Sequence, residues 1–163
     1  MTALKLIIEG VILGGLLVVY CLVGIRGGAV GMVFLYHKDV QDRCVELGLT
    51  THEKIRKRAI IFKIFGIVLY LAYAAVCVYA INGAEGFLGG FLQLFVILSI
   101  CNVIDRLLVD EFWVCHTKTW IIPGTEDLMP YINRKDKCIK WLSGTVGMAV
   151  ISAAVAGIAE LVR

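Results

Sequence analysis

Nearly uninterrupted apolar runs at residues 6–25, 59–81, 87–108 and 139–161 alternate with short segments dense in charge. As helices rising about 1.5 Å per residue, all four runs are long enough to cross a hydrocarbon layer of roughly 30 Å. The pattern predicts an all-α membrane protein: a single domain over residues 1–163, built as a four transmembrane helix bundle. The connection after the first run is too polar for lipid but keeps helical signals. Gly48 followed by Leu49 suits a Schellman helix end, and Thr50 with Glu53 suits a capping box that starts the next helix. Spans 1 and 2 are therefore expected to continue past the membrane as a cytoplasmic helical-hairpin extension turning near residues 48–51. A first helix from Leu4 to Tyr36 would be about 49 Å long, with the Gly27 and Gly28 pair as its natural bend.

Composition agrees with lipid as the solvent: 60% of the 163 residues are hydrophobic, and the mean hydropathy is +0.86. The net charge of +3 is a signal of topology. Lys38, Arg43, Lys54, Arg56, Lys57 and Arg58 follow the first run, Lys118, Arg134, Lys135, Lys137 and Lys140 follow the third, and the turn after the second has none. By the positive-inside rule both basic segments are cytoplasmic, and both termini lie outside. Glu9, Glu85 and Glu160 then lie toward the outer face. No nucleic acid is expected as a partner, because the basic residues are spent at span ends. The first run is too long for a signal peptide and reads as a retained span.

The six cysteines stand singly, at Cys21, Cys44, Cys77, Cys101, Cys115 and Cys138. That spacing offers neither a redox pair nor a zinc knuckle. Small residues recur every four positions at Gly10 and Gly14, at Gly24 and Gly28, and at Ala149, Ala153 and Gly157, with Ser143 and Gly147 before them. Such rows let helices approach closely in lipid. Their plain use is packing within one bundle, and their sharper use is a homodimer through span 4.

Candidate chemistry gathers at the inner end of span 3. Asp105 lies 18 residues beyond Phe87, about 27 Å along a helix, at the inner hydrocarbon boundary, and Arg26 reaches a similar depth from span 1. An Arg26–Asp105 pair is expected there, since unpaired charge at that depth is costly. At 100° per residue Asn102, Asp105, Arg106, Val109, Trp113 and His116 share a face and Glu111 points away, while Arg106 and Asp110 pair along the helix. These residues predict a polar groove with Arg26, Asn102, Asp105, Arg106, Asp110, Trp113 and His116 as ligand contacts. Asp105 and His116 are about 16 Å apart along a straight helix and cannot share an ion; His116, Cys115 and Glu111 are the weaker metal candidates, and no cofactor is specified.

Three functions compete at this stage. The first is binding or moving a small polar or amphiphilic, lipid-like ligand, with membrane lipid as a partner. The second is an intramembrane enzyme using Asp105, Asp110 or Glu111 with His116. The third is an accessory or assembly subunit of a larger complex, whose charges only anchor and pair helices. No phosphate loop, nucleophile elbow, zinc-protease motif or dinucleotide fingerprint is present. The segment 117–127 is expected to hold a tight turn at Pro123-Gly124, a helix start capped by Thr125, and two tryptophans able to lie in the headgroup layer or fold beneath the groove. Lys63 reads as a snorkelling side chain.

Overall fold

The computed structural model describes residues 2–162, which form helices and their connections with no strand among them. Helix α1 spans Ala3–Ile25, α2 Lys38–Glu46, α3 His52–Ala75, α4 Gly86–Ile104 and α5 Arg134–Val162. Two of the long helices end in wider π-helical turns: α3 continues through Val76–Ile81 and α4 through Asp105–Val114. With those extensions, four helices are long and apolar enough to cross a membrane, at 23, 30, 29 and 29 residues. Each predicted apolar run lies inside one of them, apart from the run's own edges.

The helical hairpin is present in altered form. The first helix does not run to Tyr36; it stops at Ile25, and Gly28 takes φ +90°, a conformation that side-chain-bearing residues rarely adopt. A 3-10 segment, Ala29–Leu35, then folds back beside α1 and α3. Gly24 allows this return, because a Cβ there would lie 2.8 Å from the Met32 sulfur and 3.2 Å from the Phe62 ring. The Schellman end of α2 is formed as expected: Gly48 has φ +71°, Leu49 N–H donates to Cys44 C=O at 3.0 Å, and Gly48 N–H donates to Val45 C=O at 2.9 Å. The next cap lies one residue later than the capping-box reading placed it. Thr51 Oγ1 accepts from Lys54 N–H at 3.3 Å, so position N3 holds Lys54 and Glu53 cannot close the box.

Helix α4 is the hub, with α1 and α5 packed along it and α3 against the α1 side. Gly10 and Gly14 make the first contact close. A Cβ on Gly10 would lie 2.7 Å from Ile100 Cβ, and one on Gly14 3.0 Å from Ile104 Cβ. On α5 the packed row is Gly144, Met148, Ser152 and Ala156, with Ser152 and Ala156 buried, whereas Gly147 and Gly157 face open space. At the other end Glu9 is buried and accepts from the Asn82 amide at 3.0 Å, which ties α1 to the α3–α4 turn.

Residues 115–133 fold as a cap under the bundle. Trp120, Ile122, Thr125 and Tyr131 are all at most 1% exposed, so Trp120 sits inside the protein and not in a headgroup belt. Tyr36 stacks on Tyr131 at 4.6 Å and its hydroxyl donates to Trp120 C=O at 2.9 Å. The turn at Pro123-Gly124 forms, with Gly124 at φ +87°. A short 3-10 turn, Glu126–Leu128, starts after Thr125 as expected, but the Thr125 side chain does not cap it: its hydroxyl donates to Ile122 C=O at 2.8 Å and meets the Tyr131 hydroxyl at 2.7 Å. The side chain is turned inward, where its hydroxyl must be satisfied.

The α1–α4 contact leaves no room for branching. Gly14→Val is expected to cost about 1–3 kcal/mol through overpacking, whereas Gly15→Ala, whose added carbon meets nothing within 4 Å, leaves stability nearly unchanged. Thermal unfolding in detergent compares the two directly.

Candidate functional site

Asp105 and Asp110 are five residues apart, and on an α-helix they would lie about 140° apart. The π-helical continuation of α4 changes this, because its i→i+5 turn stacks residues four to five apart. Both carboxylates therefore reach the same guanidinium. Arg106 Nη2 donates to Asp105 and Nη1 to Asp110, and Lys140 from α5 donates to both Asp110 oxygens at 3.2 Å. The side chains of Asp105, Arg106 and Asp110 are 22%, 16% and 13% exposed, so little solvent screens the network.

These residues form one end of a cleft of about 510 Å³ bounded by α1, α3, α4 and α5, within the range of small-molecule sites. Its polar end also carries Asn102, Lys63 and Ser143. Its apolar part includes Leu17, Phe62, Ile67, Tyr70, Leu98 and Met148. Val114 and Ile132, where the cap begins and ends, line its floor. Helices α3 and α5 face each other across the space and share no packed face.

Asn102 is the polar residue that the protein leaves unsatisfied here. It is 6% exposed, lines the cleft, and its amide makes no hydrogen bond among the described residues. Gly144 makes room for it, since a Cβ there would lie 2.8 Å from Asn102 Oδ1 and 3.1 Å from Nδ2. Arg106 Nε is likewise buried without a partner. Buried polar groups are ordinarily hydrogen-bonded, so an unpartnered amide opening on a cavity marks a place where a ligand or water fits.

Of the residues read from sequence, the structure brings Asn102, Asp105, Arg106 and Asp110 together, including the Arg106–Asp110 pair. Three lie elsewhere. Arg26 is exposed at the C-terminus of α1, lines no part of the cleft and forms no ion pair among the described residues; Arg106, next to Asp105 on α4, takes its expected place. Trp113 packs edge-to-face on Trp120 at 5.0 Å. His116 is exposed, with Nδ1 2.7 Å from Glu111 C=O. The face predicted at 100° per residue drifts off once the helix widens, so Val114 occupies the position expected of Trp113. Glu111 points away, as expected, and pairs with Lys137 at 2.5 Å.

No group of three or more His, Cys, Asp or Glu residues able to hold a metal occurs among the described residues. Burial also pushes the Cys115 thiol up, away from the thiolate that metals bind. Sequence reasoning missed Gly144, Lys140 and Lys63 as cleft residues. The four-residue step from Gly144 to Ala156 was the available signal for the first. The chain matches no family model, and neither a curated protein nor a solved structure is significantly similar to it. What the fold defines is a small all-helical chain whose four long apolar helices are compatible with a multi-pass membrane protein.

The network makes Arg106 the residue whose loss costs most. Arg106→Gln leaves two poorly solvated carboxylates facing each other and should destabilise the protein by about 3–5 kcal/mol. Adding Asp105→Asn should return part of that, a non-additivity that a double-mutant cycle in detergent measures. Arg26→Gln should leave the unfolding midpoint where it was.

Proposed function

We propose that this protein spans the membrane four times and binds or moves a small polar or amphiphilic, lipid-like ligand in the cleft beside α4. The observation that carries this reading is the buried, unpartnered Asn102 amide, held open by Gly144 where a charged end meets an apolar one. Such a division suits a molecule with a head and a tail. The carboxylates support binding over acid-base chemistry, because both are engaged by Arg106 and one also by Lys140. In this reading the basic segments, the cap and the polar end of the cleft are cytoplasmic, and both termini are outside.

Lipid extracted from protein purified in mild detergent and quantified by mass spectrometry should show about one retained amphiphile per chain. Gly144→Leu and Asn102→Leu, at adjoining positions of α5 and α4, should each release it. Asn102→Leu keeps the side-chain volume and should hold the unfolding midpoint within a few degrees, whereas Gly144→Leu, whose Cβ would lie 2.8 Å from Asn102 Oδ1, should lower it. An unchanged lipid complement in both folded variants would remove the cleft as the binding site.

Topology has its own reporter. Cys138 is exposed, whereas Cys44 is fully buried and its burial pushes the thiol up, so only the former suits labelling. A membrane-impermeant maleimide should label wild type in inverted vesicles but not in intact cells, and Cys138→Ser should lose the signal. Labelling of Cys138 from outside would invert the assignment.

A further inference from the structure

The charges lining the cleft do not cancel. Five charged side chains line it: Asp105 and Asp110 against Arg106, Lys140 and Lys63, which leaves one surplus positive charge. Arg106 bridges both acids and Lys140 closes on Asp110, so these four charges neutralise one another, with Arg106 Nε left as an unpartnered donor. Lys63 is the remainder. It projects from α3, on the opposite side of the cleft from Lys140, and forms no ion pair or hydrogen bond among the described residues.

Lys63 is exposed at the open flank of the cleft, where an ammonium beside apolar walls attracts an anion that arrives along them. Asn102 adds amide donors that no group among the described residues accepts. The route is shaped by the same walls. The floor at Val114 and Ile132 belongs to the packed cap, both residues being 2% exposed, while α3 and α5 share no packed face on the side between Lys63 and Lys140. That side faces the hydrocarbon if the four helices span a membrane.

We infer that the ligand is an amphiphile with a single negative charge, a carboxylate or phosphate diester on an apolar tail, which reaches the cleft sideways from the bilayer between α3 and α5. Its headgroup meets Lys63 and the Asn102 amide, and its tail lies along Leu17, Phe62, Leu98 and Met148. The inference rests on the cleft being a ligand site. It adds the sign of the charge, the residue that reads it and the direction of access.

Parinaric acid and the alcohol with the same tail separate these claims, because they differ only in the headgroup. In phosphatidylcholine nanodiscs, at a pH where the acid is ionised, wild type should bind the acid saturably and about ten-fold more tightly than the alcohol, the effect of one charge-assisted contact. Lys63→Gln should erase that preference and leave alcohol binding unchanged, whereas Lys57→Gln, an exposed charge outside the cleft, should keep it. Lys63 is exposed and makes no hydrogen bond or ion pair among the described residues, so its variant should fold with nearly the wild-type midpoint. Equal binding of acid and alcohol, lost together in Gly144→Leu or Asn102→Leu, would overturn the anionic inference and leave the cleft reading standing. Saturable binding of neither probe would sink both readings. Displacement of the acid by millimolar inorganic phosphate would replace the lipid by a soluble anion and overturn access from the bilayer.

Discussion

Arg106 held between two carboxylates is the interaction on which the capped end of this bundle depends. Ionisable groups near the hydrocarbon boundary are tolerated when they neutralise one another, and here the partners come from one stretch of α4. Adjacent residues on an α-helix point about 100° apart, and residues five apart diverge further. The π-helical stretch removes that divergence and lets Asp105, Arg106 and Asp110 converge. Convergence carries a cost, since it brings two like charges close. Arg106 offsets it from the middle, and Lys140 adds a second base from α5. The charge network thus fixes the local helix type and also the position of α5 against α4.

The cleft follows from the packing around that network. Gly10 and Gly14 bring α1 onto α4, and Gly144 brings α5 close enough for its backbone to sit beside Asn102. Helix α3 is held instead by α1 and by the 3-10 segment that folds back after Gly28. With two helices drawn to α4 and the third drawn to α1, the gap falls between α3 and α5. Beneath it the cap is well packed, with Trp120 and Tyr131 buried among aromatic neighbours. The gap therefore has a firm floor and one open flank.

Those features were legible in the sequence to different depths. The four long apolar helices were plain because about twenty apolar residues in a row have few other uses. The break after Arg26 and the end of α2 were legible because glycine at positive φ marks such points. The face of α4 matches the reading through Asn102, Asp105, Arg106 and Val109 and departs from it at Asp110 and Trp113, since the reading assumed 3.6 residues per turn where the helix widens. The pairing of Asp105 with Arg26 failed for a related reason: depth along two helices fixes height, not azimuth, and the nearer arginine prevailed. Thr125 looked like a cap because its neighbours are acidic, but a hydroxyl beside Tyr131 finds its partners inside. The tryptophans of residues 117–127 signalled a segment able to fold beneath the groove, and it does, but nothing local names Tyr36 as the residue it packs on.

The densest charge in this protein is also its most self-sufficient. Asp105, Arg106, Asp110 and Lys140 exhaust most of their strong interactions on one another, so a ligand competing for them would have to break contacts whose loss is expensive. Asn102 and Lys63 have no such commitments, and contacts made to them add to those already present. A ligand gains most where the protein has left polar groups without partners, because there the groups' own desolvation has not been offset by internal bonds. By that argument the charge cluster serves as a wall that positions helices and sets the sign of the field, while recognition falls to the isolated amide and ammonium at its edge.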